Sequence, residues 1–176
     1  MTTRPYLTPG GAERLRRRVA AVRAAYQAVV DDNPAALESG DTSGWHDNFA
    51  FEENQRQMHQ LSRQVRELET LLGRATVVPL PNAVPERVIL GSRVTWSFDG
   101  DDQPRTCWIC GWDDGDPERG RISYNSPLGS ALVGAEPGEE REVRGAGPPR
   151  RIEVLELATV DPTEDTCPTE DTCQAA

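Results

Sequence analysis

Residues 51–72, FEENQRQMHQLSRQVRELETLL, decide how the first half of this chain folds. Phe51, Asn54, Met58, Leu61, Val65, Leu68 and Leu72 recur at alternating steps of three and four, which aligns them along one helix face. Asn54 is the one polar member of a seam that otherwise fits coiled-coil a and d positions. Upstream, Ala12, Leu15, Val19, Val22, Tyr26 and Val29 repeat the same spacing. Thr8 before Pro9 is a good helix start, and Gly73 a good stop. The connection from Asp31 to Asp47 carries Pro34, Gly40 and Gly44, so the chain can reverse there. The spacing predicts an antiparallel two-helix coiled-coil hairpin. Arms of about 25 residues at about 1.5 Å each would be about 35–40 Å long.

Composition sets the limits around this hairpin. A chain of 176 residues, 36% hydrophobic and 27% charged, suits one mid-sized domain or two small ones and argues against a large buried α/β enzyme. Its longest uncharged apolar runs fall far short of the roughly 20 residues needed to cross a bilayer. Met1-Thr2-Thr3-Arg4-Pro5 has no apolar signal core, so no membrane association and a cytoplasmic location are expected. All 19 basic residues are arginine. Residues 1–74 hold 10 Arg and 10 acids, leaving 9 Arg against 19 acids, the whole net charge of −10, in residues 75–176. Neither part has the net basic surface that independent DNA binding requires. Within the hairpin the charge is polarised. Arg4, Arg14, Arg16, Arg17, Arg18 and Arg23 stand near the base, whereas Asp31, Asp32, Glu38, Asp41 and Asp47 crowd the connection without an arginine.

After the hairpin (residues 6–76) comes a proline-spaced linker over 77–85, then short alternating runs over 86–158. Val94, Trp96 and Phe98 alternate with Arg93, Thr95 and Ser97, as in a half-buried strand. Residues 106–112, 121–124 and 151–157 read as further strands. Ser126 as N-cap, Pro127 in the first turn and Gly134 at the end frame a short helix. The fold class is therefore α+β: a helical hairpin, then a small β-rich domain. From residue 159 an acidic tail is expected to be disordered; it contains the duplication Pro162–Cys167 and Pro168–Cys173, PTEDTC twice.

These parts together resemble the Gre family of bacterial transcript cleavage factors over residues 6–158. Three stretches carry the resemblance: LTPGGAERL at 7–15, the pairs Gly40-Asp41 and Asp47-Asn48 followed by FAFEE, and ISYNSPLG with ALVG at 122–134. The resemblance implies an FKBP-like C-terminal domain that docks on RNA polymerase through Asn125, Ser126 and Pro127. It also implies a hairpin entering the secondary channel as an accessory factor, not an enzyme. Asp41 and Asp47 would be the tip carboxylates that share the polymerase's Mg²⁺, with Trp45, His46 and Asn48 in support. Nascent RNA would be met only within that complex, and the factor would be a monomer with no cofactor or metal of its own. The family places its tip acids as Asp-x-x-Glu before Asn. Here three more residues separate Asp41 from Asp47, and the second acid is one methylene shorter. That departure leaves open a factor that occupies the channel without stimulating cleavage.

Other motifs have plainer readings. Cys107-Trp108-Ile109-Cys110 lies in a strand pattern that turns its two thiols to opposite faces, and the remaining cysteines, Cys167 and Cys173, fall in the tail. His46 suits a solvated loop or tip tuning, and His59 flanks the seam. Trp45 either folds onto Phe49 or meets the channel wall, while Trp96, Trp108 and Trp112 suit strand packing. A prolyl isomerase and a plain coiled-coil interaction module are the alternative functions.

Overall fold

The structure is a computed structural model of the chain and describes residues 4–38, 49–101, 103–145 and 147–165. The chain divides into two compact units, Arg14–Arg74 and the combination of Met1–Glu13 with Ala75–Ala176. No helix among the described residues is long and apolar enough to cross a membrane.

Helices α1 (Pro9–Glu38) and α2 (Phe49–Arg74) supply the first unit. Two side-chain contacts fix their relative direction. Asn54 Nδ2 donates to the Val29 carbonyl at 3.1 Å, and Arg23 pairs with Glu69 at 2.6 Å. Partners nested in this way run in opposite directions, so the helices are antiparallel. Leu15, Val19 and Leu68 are buried while Arg16, Arg17, Arg63 and Arg66 are exposed, the division the seam predicts. One expectation is corrected. The connection is shorter than residues 31–47, because α1 runs on through Pro34 to Glu38 and α2 starts at Phe49. Pro34 removes only one helix donor, the one facing the Val30 carbonyl, and the helix continues past it.

The second unit holds a five-stranded sheet. Its strands are β3 (Ser92–Phe98), β4 (Arg105–Cys110), β5 (Arg121–Ser123), β6 (Glu140–Val143) and β7 (Arg150–Thr159). They lie in the order β5-β4-β3-β7-β6, with β4 and β5 parallel and the other neighbours antiparallel. A shift in register between Thr95 and Trp96 bulges β7 at Leu155, whose side chain is exposed. Strands β1 (Tyr6–Leu7) and β2 (Thr76–Val77), which precede α1 and follow α2, form a separate parallel pair.

One sheet face carries the main core and the other is covered only in part: Glu153 and Glu156 of β7 stay exposed there, as the alternation predicts. On one face Val94, Trp96, Cys107, Ile109, Ile152, Val154 and Leu157 pack with Leu132 of α3 (Pro127–Leu132). On the other, Trp108, Cys110 and Val160 form a smaller cluster. The thiols of Cys107 and Cys110 accordingly sit in different clusters, both buried and neither in a disulfide, as the strand spacing implies. Burying a side chain such as Ile109 contributes about 1.5–3 kcal/mol, so this core outweighs any single surface pair. Order continues beyond residue 159, against the expectation of a disordered tail from that point. Residues Pro162–Asp165 form a short helix, α4, and Asp165 is buried.

Candidate partner-binding loop

The loop before α3 is built by hydrogen bonds from its backbone upward. Ser126 caps α3 in extended conformation, its hydroxyl accepting the Gly129 N–H at 3.0 Å, and its own N–H donates to the Ser123 carbonyl at 3.0 Å. Pro127 follows at the first turn, where a missing N–H costs nothing. Gly129 is required by contact: a Cβ there would lie 2.1 Å from the Ser123 carbonyl oxygen. The helix thus presses directly on the end of β5, leaving Asn125 and Pro127 exposed and Ser126 half-buried.

Asn125 is held from below. The buried Ser123 hydroxyl lies within hydrogen-bond reach of the Gly111 carbonyl, at 2.6 Å, and of Asn125 Oδ1, and its single proton serves one of them at a time. The Asp113 N–H points at the same pair, 3.1 Å from Ser123 Oγ and 3.4 Å from Asn125 Oδ1. Asp113 reaches this position with φ of 53°, a left-handed turn that Asp tolerates better than most residues. Alongside runs a chain of aromatic rings. Tyr124 makes edge contacts with Trp112 at 6.1 Å and Tyr6 at 6.2 Å between centroids, and its hydroxyl accepts the Tyr6 N–H at 3.1 Å. Charge is also fixed here: Asp116 pairs with Arg121 at 3.0 Å and with Arg119 at 3.6 Å.

Asn125, Ser126 and Pro127 therefore share one loop surface. Of their supports, Ser123, Asp113 and Tyr6 were given no role by the sequence and Trp112 only strand packing; their partners lie from two to 118 positions away. The Asp-Asp-Gly-Asp run at 113–116 was the one local hint that a tight turn faced this loop. Trp112 lies just past β4 and packs on Tyr124, so it is not a strand residue. The remaining predicted residues, Asp41, Trp45, His46, Asp47 and Asn48, lie outside the described residues. Among the described residues no group of three or more His, Cys, Asp or Glu side chains could hold a metal ion. Burial pushes the Cys107 thiol up to about 11, which removes it as a nucleophile near neutral pH.

Comparison with known proteins places these features in context. Residues 82–159 match the family described as "Transcription elongation factor, GreA/GreB, C-term". The chain is 31% identical over 159 residues to the transcription elongation factor GreA of Roseiflexus sp., covering 89% of this chain and 99% of that one. GreA of Sphingopyxis alaskensis is 35% identical over 133 residues, 76% of this chain and 82% of that protein. The crystal structure of the GreA factor homolog 1 protein of Thermus thermophilus aligns over 89% of this chain and 99% of its own, at 22% identity and a TM-score of 0.39.

Proposed function

Because this chain belongs to the GreA/GreB family of transcription elongation factors, we propose that it binds bacterial RNA polymerase through the sheet unit and sends its hairpin into the secondary channel. The observation that carries this reading is the extent of the match. It spans 99% of the Roseiflexus GreA, so the hairpin and the sheet domain are shared as a set. On this reading the Asn125–Pro127 loop, braced by Ser123 and Asp113, is part of the docking surface. The protein is an accessory factor, working as a monomer in the cytoplasm, and the catalytic centre belongs to the polymerase.

Asp41 and Asp47 are the carboxylates that would approach that centre. Two surface carboxylates alone hold Mg²⁺ poorly, since it keeps its waters and wants nearly octahedral oxygen ligands. Beside a polymerase that already carries such an ion, they would help hold a second one, and such a pair would supply activation of water and stabilisation of the leaving oxygen. The protein's own part is reach and placement. Effective placement tolerates errors of about 0.5 Å, and the separation of Asp41 from Asp47 by three more residues than in the family pattern bears directly on it. That spacing favours a second reading, in which the factor occupies the channel and restrains transcription without stimulating RNA cleavage.

Two measurements separate these readings. Core polymerase should be retained by the immobilised full-length protein; no retention ends both. A stalled, backtracked complex with Mg²⁺ then reports on cleavage. Faster RNA shortening that is lost in Asp41→Asn and Asp47→Asn supports the cleavage reading, and unchanged shortening with slowed elongation supports channel occupancy.

A further inference from the structure

The first turn of α1 is closed by a residue from the other end of the chain. A helix start leaves backbone N–H groups without partners inside the helix. Here Pro9 has none to satisfy, the Ala12 N–H reaches the Thr8 carbonyl at 2.9 Å, and the Gly11 N–H reaches the Thr8 hydroxyl at 3.0 Å. The remaining donor, Gly10 N–H, goes to Asp165 Oδ2 at 2.7 Å, while the Thr8 hydroxyl donates to Asp165 Oδ1 at 2.7 Å. Thr8 and Asp165 are 0% and 2% exposed, so this carboxylate is withdrawn from water and held by directed bonds.

Two further features show that the segment is built to sit there. A Cβ on Gly10 would lie 1.7 Å from the Asp165 carbonyl oxygen, so the glycine makes room for the incoming backbone. The segment also carries its own cap and anchor. Asp161 Oδ1 accepts the Thr163 N–H at 2.8 Å and its hydroxyl at 2.7 Å, and Glu164 pairs with Arg93 of β3. In sequence, the second PTEDTC copy is preceded by Cys167 where the first has Asp161, and so lacks that capping carboxylate.

We infer that Asp161–Asp165 is an intramolecular clasp in which Asp165 completes the N-terminal cap of α1. The clasp ties the C-terminal segment to the start of the hairpin's first helix, and it rests on geometry independent of the polymerase reading.

The test uses the full-length chain. In an ordinary helix Gly→Ala stabilises. The clasp reverses that sign, so Gly10→Ala should lower the melting temperature, and a rise would overturn the inference. In the unaltered protein the Gly10 amide should exchange slowly with solvent although no helical carbonyl accepts it; free exchange would equally overturn it. Asp165→Asn should speed exchange at Gly10 and Gly11 by roughly tenfold, the scale of a lost cap, whereas Asp171→Asn should leave both unchanged. If Asp171→Asn accelerates exchange and Asp165→Asn does not, the assignment of Asp165 fails.

Discussion

At residue scale, single atoms decide what the sheet unit tolerates. Gly129→Ala places a methyl group onto the Ser123 carbonyl and should cost about 1–3 kcal/mol, read as a lower urea midpoint with amide shifts concentrated between Ser123 and Val133. Ser126→Ala removes the α3 cap and should cost about 1 kcal/mol in the same measurement. Cys107 makes stability depend on alkaline pH. Its thiol is raised from 9.0 to about 11 in the folded state, so the folded chain retains a proton that the unfolded chain has lost in between. The contribution is fully present below pH 9 and falls away as pH rises towards 11, by at most about 2–3 kcal/mol. Urea midpoints should therefore decline across that window more steeply than those of Cys107→Ala. Equal slopes would show that the thiol is not protected from ionising.

At the scale of elements, the hairpin's polar seam residue is the informative one. Asn54 is buried, with its amide reaching the Val29 carbonyl, while its Oδ1 has no hydrogen-bond partner among the described residues. A buried amide left half satisfied weakens a seam but pins its alignment. Asn54→Leu should therefore raise the unfolding free energy by about 1 kcal/mol, read as a higher urea midpoint, and loosen the register of α1 against α2. Cross-linking yields between engineered cysteine pairs along the two helices would measure that alignment. The sheet's outer strand β6 handles the opposite problem. As an edge strand with Glu140, Arg141 and Glu142 among its four residues, it puts charge where another strand could pair. Phe98, further along β3, lies beneath the Arg150 guanidinium at 3.4 Å and near that of Arg105 at 4.9 Å, which covers its ring where the core thins.

At the scale of the molecule, segments distant in sequence meet in one unit, since Tyr6 and Leu7 pair with Thr76 and Val77, and Thr8 meets Asp165. Truncation after Val160 should thus weaken more than the tail itself. We expect faster amide exchange in the first turn of α1, at Gly10 and Gly11, with the exchange of β4 amides little altered. The parts legible in sequence were those with a local repeat or a fixed offset: the two seams, the Thr8-Pro9 and Ser126-Pro127 starts, and the alternation that parted Cys107 from Cys110. Each follows from the helix turn or strand pleat, which any short window of residues records. The β1–β2 pair, the Asp113 and Tyr6 contacts around Asn125 and the burial of Asp165 had no such record, because partners 12 to 157 positions apart share no period. In a polar repeat poor in apolar residues, a carboxylate becomes a core contact only when folding brings it to unsatisfied N–H groups, and tertiary structure alone can do that.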